Sequence, residues 1–249
     1  MSIDIFDNVW LYGGTGRFLD QSDKTDEEQN YLFGIKDPFF NEKKYNTEGL
    51  GGYLDYAAEA AIPAISIYPA DNQLFEADPY TVSYGGTITG GIAGISYWKL
   101  LLIEARDPKY DGWYRSLCPG AITDEGICSN SGPSERFIKE PSILSGIVLY
   151  PTFSPNSDIC GFGANGRLWA LYYETGTAFR EYVFGNSNQD PIQDVMYLGS
   201  GISSSFGLHI GRQEGGTIFT QMSTGIILDL DINVDISTIQ PTYWKNYVE

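Results

Sequence analysis

Several stretches carry residue types that do chemistry in other settings, and each also has a plainer use. Gly161-Phe-Gly163-Ala-Asn-Gly166 has the GxGxxG spacing of a dinucleotide turn. Such a turn needs a strand before it and a helix after it, whose amino end receives the pyrophosphate. Here the strand-like run Arg167-Leu-Trp-Ala-Leu-Tyr-Tyr follows, so the reading is a glycine-rich turn. Asp229-Leu-Asp231-Ile-Asn233-Val-Asp235 begins like an EF-hand loop, but its sixth position is Val234 and its twelfth is Gln240, where calcium loops need Gly and Glu. Strict polar/apolar alternation describes a strand with one wet face instead. His209 is the single histidine, and no GxSxG elbow accompanies it. Carboxylate pairs are frequent in so acidic a chain and specify nothing. Asp20, Asp23, Asp26 and Glu27, with Glu28, place hard oxygen ligands in one polar stretch; they are the metal candidates, with Ca²⁺ as the ion, against a solvated acidic loop. No catalytic or cofactor-binding residue emerges, and the chain is expected to be non-enzymatic.

Composition narrows the partners. The formal net charge of the 249 residues is −17, with 15 Lys and Arg against 32 Asp and Glu. That charge repels phosphate backbones and anionic membranes, so no nucleic-acid partner is expected. No apolar run approaches the ~20 residues of a membrane span. The opening residues have neither a basic end nor an apolar stretch and do not read as a secretory signal. The chain is therefore expected to be cytosolic or a fragment of a longer secreted protein. Cys118 and Cys128 bracket a loop containing Pro119-Gly120 and Glu125-Gly126, and a disulfide closing 118–128 is plausible in an oxidising compartment, with Cys160 as the alternative partner. A single His far from the cysteines argues against zinc.

The elements that must position these residues are short. Glycine (29) and tyrosine (18) are abundant, which fits short strands joined by tight turns. Strands are expected at 9–12, 31–35, 64–68, 81–84, 97–104, 135–139, 143–150, 168–174, 217–222 and 226–236. Residues 54–61 form the one helix-permissive stretch, limited by Pro63. No linker divides the chain, so 1–249 reads as a single all-β domain: a sandwich, barrel or propeller.

Several segments, in order, resemble one family. Val9-Trp-Leu-Tyr-Gly-Gly14-Thr15-Gly16-Arg17-Phe-Leu-Asp20, followed by Gln29-Asn-Tyr-Leu-Phe-Gly34-Ile-Lys-Asp37, is similar to the "GTGRY … Q-x-FYGI-x-D" stretch of PilY-type, type IV pilus tip-associated proteins, with Phe18 in place of Tyr. Asp111-Gly112-Trp113-Tyr and Ser134-Glu135-Arg136-Phe resemble "GW … GER", with Ser134 in place of Gly. Pro141 through Val148, Thr152 and Pro155 to Cys160, Gly163, Leu168 and Thr175-Gly176 follow the family's next pattern. Gly199-Ser-Gly-Ile-Ser-Ser205, then Phe219-Thr-Gln-Met-Ser-Thr224-Gly225 and Tyr243-Trp244, complete it.

The resemblance implies the carboxy-terminal part of a modified β-propeller at the bacterial cell surface. It implies pilus biogenesis and adhesion through minor pilins or other filament subunits, in an extracellular, fimbrium-associated place. It also implies calcium regulation in some members, through an Asp-rich loop that this sequence lacks. Blades of ~40–45 residues would allow ~5–6 at most, fewer than the family's ring needs. Another chain or segment is therefore expected to supply the missing blades. Two other functions stand as alternatives: a quinoprotein-like propeller enzyme, against which stands the absence of a Cys-Cys pair, and a carbohydrate-binding β module using Tyr110-Asp111-Gly112-Trp113-Tyr114.

Overall fold

The computed structural model describes residues 1–6, 8–41, 74–107, 109–156, 163–185, 190–210 and 216–233. Among them the chain is predominantly β, as expected. Strands β1 (Ser2–Ile3), β2 (Asn8–Gly14), β3 (Tyr31–Asn41), β4 (Phe75–Glu76) and β7 (Gly112–Ser116) form one sheet in the order β1-β2-β3-β7-β4. Its pairs are antiparallel except β4 with β7. A second sheet has the order β11-β10-β9-β8, from β8 (Ser142–Leu144), β9 (Ile147–Pro155), β10 (Ala164–Tyr172) and β11 (Val195–Ser200). A third joins β12 (Gly207–Ile210), β13 (Gly216–Gln221) and β14 (Ile227–Ile232). A small hairpin of β5 (Tyr80–Val82) and β6 (Ile88–Gly90) precedes the helix α1 (Trp98–Ala105).

The second sheet lies at the centre, and its sequence says why. Successive strand residues point to opposite faces. Val148, Tyr150, Trp169 and Leu171 meet Trp10, Leu32 and Trp113 of the first sheet in one core. Leu149, Leu168 and Ala170 meet Ile218 and Ile232 of the third sheet, and Met222 just after β13, in another. Every residue of β9 is buried, so this strand has no wet face, and its polar members Thr152 and Ser154 are hydrogen-bonded inside. β14 is the opposite case. Asp229 and Asp231 face outward while Leu228, Leu230 and Ile232 pack inward, as the alternation in the sequence requires; residues 234–240, the remainder of that stretch, lie outside the described residues.

Three expected elements differ. The expected strand at 97–104 is instead α1, from Trp98 to Ala105. Trp98, Leu101 and Ala105 are its buried residues, a helical spacing that a short apolar run conceals. The expected strand 143–150 is two strands, because Ser145 and Gly146 both take positive φ and reverse the chain. Residues 135–139 make a single bridge, Arg136 with Phe153, and no strand. The expected strand at 64–68 and the helix-permissive stretch at 54–61 lie outside the described residues. Cys118 and Cys128 are disulfide-bonded, and Cys160 is outside the described residues.

Burial on both faces makes the middle sheet the costly place to cut. Leu149→Ala is expected to lower the unfolding free energy by about 2–5 kcal/mol. Leu11→Ala, at a half-exposed position of β2, should cost about 0.5 kcal/mol. Urea denaturation of both variants checks the contrast.

Candidate functional site

The motif residues from distant parts of the chain meet in three networks. The first surrounds Glu135, which is fully buried. Its Oε2 accepts the backbone N–H of Cys118 at 3.0 Å and Nη1 of Arg167 at 3.3 Å. Its Oε1 accepts the Thr152 hydroxyl and, at 2.9 Å, the indole N–H of Trp169. Four donors on two oxygens satisfy a carboxylate that water cannot reach. Arg167 also donates through Nη2 to the carbonyl of Gly126, in the disulfide-closed loop. Asn165 Nδ2 donates to Ile122 O at 2.7 Å in the same loop. The loop 118–128 is thereby fastened over the second sheet.

The second network surrounds Arg136, also fully buried. Its Nη1 donates to the carbonyls of Arg17 (2.7 Å) and Asp23 (2.6 Å), its Nη2 to Asp26 O (2.9 Å), and its Nε to Ser134 O (3.3 Å). Burial pulls the Arg136 pKa down from its ordinary value, and the Asp26 and Asp23 charges oppose the shift. Gly16, at φ +147°, lets the chain pass this closely: a Cβ there would lie 2.6 Å from Arg136 Cβ and 2.9 Å from Phe137 N. Thr15 ties the loop's two ends, donating to Asn30 Oδ1 and accepting from the Tyr31 N–H. Gly14 ends β2 beside Leu32 and Phe137.

The acidic candidates sit on this loop. Asp23 Oδ2 accepts the N–H groups of Leu19 and Asp20, and its Oδ1 lies 3.2 Å from Arg17 Nε. Asp20 accepts from Ser22 N and Oγ and pairs with Arg17. These donors hold both carboxyls below the usual Asp range, the Ser22 hydroxyl acting most on Asp20 and the Asp20 N–H on Asp23. Asp26 Oδ1 accepts the Glu28 N–H. Glu27 is exposed. No group of three or more His, Cys, Asp or Glu among the described residues converges as a metal site.

The third network is built on Trp113, which has no exposed surface. Its indole N–H donates to Tyr173 O at 2.8 Å. Gly34 leaves room on one side and Gly176, at φ +67°, on another; a Cβ would approach the indole to 2.6 Å and 2.2 Å respectively. Gly112 precedes it at the start of β7, and Asp37 lies in β3. Trp113 and Tyr114 are both buried, so these two rings are packing residues, the commoner use of a Trp at a strand start. Thr224 and Gly225 turn β13 into β14, and the neighbouring Ser223 exchanges hydrogen bonds with Ile202.

Sequence reasoning missed an adjacent titratable cluster. Arg106, at the end of α1, forms a two-pronged ion pair with buried Glu174. Tyr172, Tyr173 and Tyr12 lie beside it. Burial, reinforced by the Glu174 charge, pushes Tyr172 up to about 12 and raises Tyr173 further. For Tyr12 burial again leads. Lys36 is pulled down by burial while Asp4 and Asp111 push it up, and its Nζ donates to Tyr110 O at 2.8 Å. The phenols, neutral at physiological pH in any case, are thus held neutral further into alkali. The signal for this cluster was faint: Lys36 and Glu174 each adjoin a motif residue, Asp37 and Thr175. His209 stands exposed on β12, opposite Thr217. Gly163 turns directly into β10, so no helix opens where a dinucleotide would need one.

No family model, no curated protein and no solved structure matches this chain significantly. No helix among the described residues is long and apolar enough to cross a membrane.

The Glu135 network yields a direct test. Glu135→Gln turns one acceptor into a donor facing donors and leaves Arg167 buried without its counter-charge. A loss of about 3–5 kcal/mol is expected. Glu140→Gln, on the surface between the networks and β8, should change stability by less than about 0.5 kcal/mol. Thermal and urea unfolding of the pair measures the difference.

Proposed function

We propose that this chain is the carboxy-terminal sector of a PilY-like, modified β-propeller, working as a non-enzymatic structural and adhesion module of a type IV pilus or related filament at the cell surface. In this reading it acts by protein–protein recognition, and a further segment or chain supplies the remaining blades. Minor pilins or filament subunits are its partners.

The observation that carries the reading is the stacking order. Three sheets, antiparallel but for the β4–β7 pair, follow one another in the chain and in space, and the middle one is covered on both faces. Consecutive blades of a propeller pack in this way. The two outer sheets keep apolar residues on the face turned away from the middle sheet. On the first sheet these are Ile3 and Leu11. On the third they are Phe219 and Ile227, beside Asp229 and Asp231. Apolar surface on terminal sheets suits contact with further blades. The placement of motif residues adds support. Gly16, Arg17 and Arg136 meet in one network, and Gly34, Trp113 and Gly176 in another, so the residues behind the resemblance are those that join sheet to sheet and loop to sheet.

The reading is tested by size and by surface charge. The purified chain is expected to self-associate or to co-elute with a chain carrying the other blades in light-scattering chromatography. Leu11→Glu and Ile227→Glu should weaken that association while leaving the unfolding midpoint within a few degrees, about the shift of 0.5 kcal/mol in a domain this size. A monodisperse 27.6 kDa monomer, folded and indifferent to both substitutions, would sink the proposal.

A further inference from the structure

Calcium comes with the resemblance, and the loop between β2 and β3 is where this chain gathers carboxylates. A Ca²⁺ ion takes six to eight oxygens from carboxylates, carbonyls and water. The oxygens of this loop do not fit that use. The carbonyls of Arg17, Asp23 and Asp26 all point at one guanidinium. Asp23 spends both carboxylate oxygens on two backbone N–H groups and Arg17. Asp20 spends its own on Ser22 and Arg17. An ion placed among the three carbonyls would meet a buried positive charge. A guanidinium, in contrast, presents five N–H donors in a planar fork and keeps its charge at any physiological pH.

We infer that Arg136 is the cation of this loop: residues 17–26 are ordered by the chain's own guanidinium, and Ca²⁺ has no part in ordering them. The device also ties the first sheet to the second. Arg136 is bridged to Phe153 of β9, while its side chain holds the connection that leaves β2 and enters β3. The acidic loop is then a fixed, anionic, metal-independent surface, with Leu19, Glu27 and Glu28 outward.

Trypsin reports on the loop, because Lys24 is exposed within it. Cleavage after Lys24 is followed by mass spectrometry under native conditions, in EGTA and in about 1 mM CaCl₂, the weak end of extracellular calcium modules. The wild-type rate is expected to be the same in both. Arg136→Ala should be cut at Lys24 about tenfold faster, since local opening free energy sets the rate, and Arg136→Lys should fall between. Calcium-dependent slowing of the wild-type cut would overturn the inference, as would an Arg136→Ala protein cut at the wild-type rate. If Arg136→Ala does not fold, the wild-type comparison decides alone. Asp23→Asn, which keeps an acceptor for the Leu19 and Asp20 N–H groups, supplies the second variant: its cleavage should be equally calcium-independent, and a calcium response present in wild type and lost in Asp23→Asn would place the metal in the loop after all.

Discussion

Glu135 and Arg136 are neighbours in the chain, carry opposite charges, and are both removed from water. Extended backbone sends adjacent side chains to opposite sides. Glu135 therefore turns toward Trp169, Arg167 and the disulfide loop, and Arg136 toward the acidic loop. Each charge is costly in the interior unless it is hydrogen-bonded or paired. Glu135 finds four donors and Arg136 four carbonyls. The geometry of two loops and two sheets is constrained by that single dipeptide.

Around it the packing is aromatic. Trp113 touches Tyr150 edge-on and lies near Tyr12, and Tyr150 in turn meets Phe137, the residue after Arg136. Such contacts add about 0.5–1.5 kcal/mol per pair beyond burial. Polar ends are not left open: the Trp113 indole reaches Tyr173 O and the Tyr150 hydroxyl reaches Phe33 O. The charged cluster at Arg106 and Glu174 closes the same core from the α1 side. The polar groups of this region serve the joining of sheets. Specificity for a partner, in the proposed reading, falls to loops and outer sheet faces.

Parts of this arrangement were legible beforehand. The alternation of Asp229 and Asp231 with leucines defines β14, because a strand's period is two and needs no neighbour to reveal it. Cys118 and Cys128 bracket a turn-rich loop, and they are bonded. Gly163 ends in a turn before β10 because Gly tolerates positive φ. Arg17, Glu135, Arg136 and Trp113 also stand in the motif segments, though nothing in the sequence indicates that they meet.

Residue type and spacing alone established the β character, the acidic surface and the wet face of β14, and offered Cys118–Cys128 as one of the pairings open to three cysteines; the bond itself is seen only in the structure. Tertiary structure decided the rest. The apolar run at 98–105 suits a buried strand as well as a helix until the first core selects Trp98, Leu101 and Ala105. The fate of Arg136 was invisible for a different reason. Its partners are backbone carbonyls at Arg17, Asp23 and Asp26, and every residue has a carbonyl. Which of them converge on one guanidinium depends on chain positions over a hundred residues apart, and short-range pattern carries no record of that.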